Sequence, residues 1–120
     1  MIDKSKVKLL DFKPPGSFEE NRYEKLHNVI VHDSKSGSKI IAHCIADLIL
    51  KKQKKNQNCI LGLATGSSPL SVYQELVRLH KQEGLSFRNV ITFNLDEYYP
   101  IKRDDLQSYY YFMHKNLFSL

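Results

Sequence analysis

The apolar and polar positions of this chain follow no period before residue 29 and follow two after it. Pro14-Pro15-Gly16 and the polar run Ser17 to Lys25 break any helix or strand, so residues 1–28 read as an N-terminal extension with little regular structure. Its Phe12, Phe18 and Tyr23 would pin it onto the body or onto a neighbouring subunit. From residue 29 to residue 120 strand-like and helix-like patterns alternate. Val29-Ile30-Val31 predicts a short strand. Ile40, Ile41, Cys44, Ile45, Leu48 and Ile49 recur at helical spacing and predict one apolar helix face, capped by Asp33 or Ser34. Cys59 to Leu63 predicts a second strand, apolar throughout, as expected where both faces of a parallel sheet are covered. Pro69 to Glu83 predicts a second helix with Val72, Tyr73, Leu76, Val77 and His80 on its buried side and Gly84 as its stop. Asn89 to Leu95 predicts a third strand. Asp104 or Asp105 would then cap a third helix, with Leu106, Tyr109, Tyr110, Met113 and Leu117 on one stripe.

Three strand–helix pairs in succession imply an α/β fold, a parallel sheet with flanking helices and right-handed crossovers. Ligands of such sheets bind beyond the carboxyl ends of the strands. Both polar motifs of the chain fall there. Thr65-Gly66-Ser67-Ser68 follows the second strand and Asp96-Glu97-Tyr98 follows the third. Neighbouring strands lie ~4.8 Å apart, so even with one strand between them the motifs would sit within roughly 10 Å, the scale of a small phosphorylated metabolite.

The first motif opens a helix, whose unpaired N–H groups and partial positive charge suit a phosphate. Gly66 would let the backbone approach the ligand, and Thr65, Ser67 and Ser68 would add hydroxyl donors. The same residues also read as an ordinary helix cap, Ser68 before Pro69. The stretch is neither a Walker loop, for no Gly-Lys-Ser/Thr follows, nor the dinucleotide fingerprint, for Gly62 and Gly66 lack a third glycine at the required spacing. In the second motif adjacent side chains of an extended chain point to opposite sides, so one carboxylate of Asp96-Glu97 faces the crevice. The spacing does not say which, and a strand-end carboxylate can equally cap the next turn.

Bulk properties narrow the picture. A length of 120 residues suits one small domain. No apolar run reaches membrane-spanning length and the start lacks a signal-peptide core, so a cytoplasmic protein with no membrane partner is expected. The net charge of +5 is spread out, its densest cluster Lys51-Lys52-Gln53-Lys54-Lys55 closing a helix, so nucleic acid is not an expected partner. Cys44 and Cys59 lie among apolar residues and read as buried reduced thiols. His27, His32, His43, His80 and His114 form no pair at ligand spacing, which argues against a metal.

Taken together, Leu61-Gly62-Leu63-Ala64-Thr65-Gly66-Ser67-Ser68-Pro69, Val72 to Val77, Gly84-Leu85-Ser86-Phe87, Val90 to Tyr98 and Gln107-Ser108-Tyr109 closely resemble the glucosamine-6-phosphate deaminase (isomerase) family. The likeness runs from about residue 58 to 118 and more loosely back to 29. Thr-Gly-Ser-Ser-Pro alone would not separate this family from the 6-phosphogluconolactonases; the Phe-Asn-Leu-Asp-Glu-Tyr and Gln-Ser-Tyr blocks are more specific. The extension before residue 29 has no counterpart in the short enzymes and looks like the lead-in of longer bacterial relatives.

The resemblance implies a Rossmann-like sheet of the deaminase and phosphogluconolactonase type, incomplete at the C-terminus, because ring-opening residues and further phosphate ligands of the family lie beyond Leu120. It implies conversion of glucosamine 6-phosphate to fructose 6-phosphate and ammonia. The phosphate is expected on Thr65, Gly66, Ser67 and Ser68, and the enolisation base at Asp96, with Glu97 and Tyr98 in support. That chemistry requires no cofactor and no metal. A small-molecule sugar phosphate is the expected partner, and a homo-oligomer the expected full-length state. A truncated chain, neither stable nor active alone, is expected from the amphipathic pattern that runs to Ser119-Leu120. A lactonase-like hydrolase and a non-catalytic sugar-phosphate sensor are the alternatives. The first would need no C2 base; the second would normally bring a helix-turn-helix reader, for which residues 1–28 are too short and irregular.

Overall fold

A computed structural model of the chain describes residues 30–120; the expected N-terminal extension and Val29 lie outside the described residues. The elements run α1 (Ser34–Gln53), β1 (Cys59–Leu63), α2 (Leu70–Glu83), β2 (Val90–Asn94) and α3 (Tyr109–Met113), which continues into a π-helical turn over His114–Phe118.

The two strands are adjacent and parallel, with Cys59 opposite Val90, Leu61 opposite Thr92 and Leu63 opposite Asn94. Parallel strands need a crossover, and α2 supplies it. Its end is set by Gly84, whose φ of 73° is the left-handed conformation that costs glycine little. The Gly84 N–H donates to the His80 carbonyl at 3.2 Å and the Leu85 N–H to the Leu79 carbonyl at 3.1 Å. At the start of β2, the Gln53 amide donates to the Ser86 carbonyl (2.6 Å) and to Asn89 Oδ1 (2.8 Å), while Asn89 Nδ2 donates to the Gln57 carbonyl at 3.0 Å. These bonds fix where β2 begins relative to the end of α1, and so where its carboxyl end emerges.

The core lies on the Cys59–Leu61–Leu63 side of the sheet. Ala42, Ala46 and Ile49 from α1, Leu76 and Leu79 from α2, Leu85 and Met113 close around Cys59 and Leu63. Helices α1 and α2 approach closely, with Ser38 Oγ 2.5 Å from Ser71 Oγ. Buried Glu75 on α2 is held by Arg78 at 2.7 Å, with His43 Nε2 from α1 at 3.6 Å. The Arg78 hydrogen bonds hold its carboxyl below the usual range.

Several expectations are corrected. Ile30 and Val31 form no strand: Ile30 is 98% exposed and neither residue pairs with the sheet, which has two strands among the described residues. The buried face of α1 is Ser38, Ala42, Ala46 and Ile49; of the expected stripe, Ile49 is buried and Ile45 packs on the core, whereas Ile41 and Leu48 are exposed, because the contact with α2 runs through small side chains. Only one face of the sheet is covered by the described residues, and Ile60 (65%) and Phe93 (62%) stand exposed on the other. His80 is exposed too; its Nδ1 meets the Leu85 carbonyl at 2.7 Å, at the rim of an apolar cleft of about 400 Å³ between the sheet, α2 and the π-helical turn. Helix α3 starts later than expected, capped by Ser108 and not by Asp104 or Asp105. Leu106 is therefore off the helix and exposed. Asp33, one of the two caps expected for α1, accepts from the Ser36 N–H at 2.7 Å. Cys59 is buried and Cys44 half-buried, both as free thiols, and burial pushes both pKa values up. No helix of the described residues is long and apolar enough to cross a membrane.

Candidate active site

The pairing of Leu63 with Asn94 brings the carboxyl ends of β1 and β2 side by side, with no strand between them. The segments that leave these ends are Thr65–Ser68 and Asp96–Tyr98, so the two polar motifs are next neighbours on one edge of the sheet.

The first loop is shaped by two features. Gly66 has a φ of 100°, a backbone setting that side-chain-bearing residues rarely adopt. A Cβ added there would meet nothing within 4 Å, so the space before the loop is open. The phenol of buried Tyr73 on α2 donates to the Ala64 carbonyl and fixes the loop at its root. The helix cap is Pro69, with no side-chain oxygen on its first N–H groups. The capping role open to Ser68 is therefore not taken up, and Ser67 and Ser68 stand exposed beside Gly66. Thr65 is half-buried.

The two carboxylates of the second loop divide. Glu97 turns toward the start of α3 and takes four donors. Its Oε1 accepts from the N–H of Tyr98 (2.9 Å) and of Tyr109 (3.1 Å). Its Oε2 accepts from Ser108 Oγ (3.0 Å) and the Tyr110 N–H (3.1 Å). These bonds, led by that from Tyr109, lower its pKa to about 2. Asp96 is exposed and takes none of those donors.

Tyr109, the first residue of α3, packs on the second loop. Its ring lies against that of Tyr98, centroids 5.0 Å apart. Its pKa is raised, first by the Tyr98 phenol, then by desolvation and by the charge of Asp96, with the Thr65 hydroxyl pulling the other way. The ring contact sets Tyr109 against the second loop at Tyr98, two residues after Asp96. Thr65, Gly66, Ser67, Ser68, Asp96 and Tyr98 thus line one edge. Glu97 is in the same loop but is spent on α3.

Tyr73, Ser108 and Tyr109 carry structural roles in the site that residue type and spacing do not reveal. Only a capping signal was present for Ser108, a serine directly before the apolar run Tyr109–Met113. Nothing local marks the reach of Tyr73 back to Ala64. Among the described residues no three His, Cys, Asp or Glu side chains gather as a metal site would require.

No family model matches the chain. Individual proteins do. It is 46% identical over 101 residues to glucosamine-6-phosphate deaminase 2 of Giardia intestinalis, covering 84% of this chain and 37% of that protein. It is 48% identical over 90 residues to the glucosamine-6-phosphate deaminase of Clostridium acetobutylicum, covering 75% and 36%. A deaminase-like protein of Bacteroides thetaiotaomicron shares 46% identity over 100 residues, 81% of this chain and 15% of the relative. Among solved structures, a monomeric glucosamine-6-phosphate deaminase, described as a missing link of the NagB superfamily, superposes with a TM-score of 0.69 at 40% identity, over 74% of this chain and 35% of that one. The matched segment thus spans between 15% and 37% of these relatives' own lengths.

Proposed function

We propose that this chain, which belongs as an N-terminal portion to the glucosamine-6-phosphate deaminase family, contributes the phosphate seat and the enolisation base of that reaction in the whole protein. The observation that carries the reading is the division of labour at the end of β2. Glu97 is fully engaged by α3, while Asp96 is left exposed beside an open glycine loop on the adjacent strand. The names of the relatives favour a deaminase over a lactonase-like hydrolase or a sensor without catalysis.

In this reading the sugar phosphate lies against Gly66, Ser67 and Ser68, where backbone N–H groups, hydroxyls and the start of α2 favour an anion. Asp96 removes the C2 proton of the open-chain aldose and returns it to C1. The aldose becomes an enolamine, which rearranges to an imine at C2. Addition of water and loss of ammonia leave fructose 6-phosphate. A free aspartate has a pKa of ~3.9 and is ionised but weakly basic at neutral pH. The site must therefore stabilise charge that develops on the enolamine, and a base held within hydrogen-bond reach of C2 supplies typically ~10²–10⁴ in rate. Neither step calls on a cofactor. A soluble setting in the cytoplasm and assembly into an oligomer belong to the same proposal; the solved relative is monomeric.

The test is to incubate the full-length protein with glucosamine 6-phosphate and measure ammonia and fructose 6-phosphate together. Equal amounts of both support the reading. Turnover of 6-phosphogluconolactone with none of glucosamine 6-phosphate would replace it with the lactonase.

A further inference from the structure

Residues 95–108 link β2 to α3 without a helix or strand of their own. Glu97 closes this stretch on itself, since three of its four donors lie 11 to 13 residues further along the chain. A carboxylate offers about four acceptor sites, and all four are used. One oxygen joins Tyr98, two residues from Asp96, to Tyr109; the other joins Ser108 to Tyr110. Ser108 is fully buried and its Oγ also accepts from the Tyr111 N–H at 3.3 Å, so the tie is anchored in the first turn of α3. The group that this arrangement delivers is the Tyr109 phenol, packed on the Tyr98 ring.

We infer that Glu97 is a positioning residue, clamping the loop after β2 to the start of α3 so that the Tyr109 ring is held on that of Tyr98, in the loop that carries Asp96. The inference rests on the reading of Asp96 as base and Thr65–Ser68 as phosphate seat. A tyrosine phenol, with an ordinary pKa of ~10, is protonated at neutral pH. Its O–H can then donate to a substrate oxygen at the step where charge develops. Misplacing reacting groups by about 1 Å can cost on the order of 10²-fold in rate, so a clamp remote from the sugar can be felt in kcat.

The experiment compares Glu97→Gln and Tyr109→Phe with the parent in the full-length protein. Glutamine keeps the shape but has one acceptor oxygen. Turned so that the oxygen keeps Tyr98 and Tyr109, its NH₂ can be accepted by Ser108 but leaves the Tyr110 N–H without a partner. Amide hydrogen exchange at Tyr110 should rise by about tenfold or more, as befits a lost bond to a charged group. The Tyr109 phenol, followed by NMR of a ring-labelled tyrosine, should titrate closer to its ordinary value. The C2-hydrogen exchange rate of glucosamine 6-phosphate should fall about tenfold with KM within roughly threefold, because the phosphate seat is untouched. Tyr109→Phe should reproduce the kinetic loss while leaving the Tyr110 amide protected. Should Glu97→Gln not fold, Ser108→Ala removes one donor and should give the same pattern, weaker. An unchanged Tyr110 amide and phenol titration, or a loss carried wholly by KM, overturns the clamp. If Asp96→Asn still exchanges the C2 hydrogen, the base assignment falls, and the amide and phenol measurements decide the clamp by themselves.

Discussion

Replacing Gly66 separates two ways in which the glycine loop could matter. The sequence suggests that a side chain here would block the approach of the phosphate. The structure adds a second effect. An added Cβ meets no protein atom within 4 Å, so the loop itself has room for it. The backbone does not, since φ is 100°. Holding a residue other than glycine in such a conformation costs on the order of 1–3 kcal/mol. The loop is exposed and can relax toward negative φ in the free protein, so little of that cost should show in stability. Binding in the proposed seat would restore it, since a phosphate held there draws on the loop in its observed conformation. A penalty of 1–3 kcal/mol corresponds to a loss of about 5- to 150-fold in affinity. Gly66→Ala should fall in this range for glucosamine 6-phosphate measured by titration calorimetry on the full-length protein. Gly66→Val should lose more, since its branched side chain also occupies the open space before the loop. The melting temperature of the free protein should change little. Unchanged affinity in both variants would refute the seat; a loss of affinity matched by a comparable loss of stability would refute the relaxation argument.

Further outcomes follow from the same packing. Leu79→Ala removes a fully buried side chain from the contact between α2 and the core and should cost about 2–5 kcal/mol in urea denaturation; a change under about 1 kcal/mol would show that this part of the core is loosely packed. The Glu97 clamp has a pH dependence of definite sign. Its carboxyl lies at about 2 in the folded chain against an ordinary 4.5, so its contribution is fully present above about 4.5 and is lost as pH falls toward about 2. Amide exchange at Tyr109 and Tyr110 should accelerate through that window after correction for intrinsic rates, and a flat profile would contradict the hydrogen bonding described.

Helix α2 and its two neighbouring strands are legible in the sequence because their signals are local. Pro69 and Gly84 bracket the helix, Val72, Tyr73 and Leu76 mark its buried side, and the parallel β1–β2 pair follows from the crossover. On α1, periodicity finds Ile45 and Ile49 but also counts the exposed Ile41 and Leu48 and passes over the small residues, for a physical reason. Periodicity weighs large residues, whereas the contact with α2 is made through Ser38, Ala42 and Ala46, whose value lies in letting two helices approach. The same limit applies to caps. Asp105 is an acceptable cap by type, but its carboxylate accepts from the Gln107 N–H at 2.9 Å and closes a turn, leaving Ser108 to open α3. At the site, Thr65–Ser68 and Asp96 could be named from residue type and position at strand ends. The different duties of Asp96 and Glu97 could not, because they depend on where residues 108–110 return in space.

In the proposed reaction Asp96, and not Glu97, moves the C2 proton of glucosamine 6-phosphate. The most direct measurement is exchange of the C2 hydrogen with deuterated solvent, followed by NMR in the full-length protein and its Asp96→Asn variant at saturating sugar phosphate. The substitution keeps shape and removes the proton acceptor, so exchange should fall by ~10²–10⁴ together with ammonia release, while affinity for the sugar phosphate stays within a few-fold. Exchange at the parent rate in Asp96→Asn would rule Asp96 out as the base.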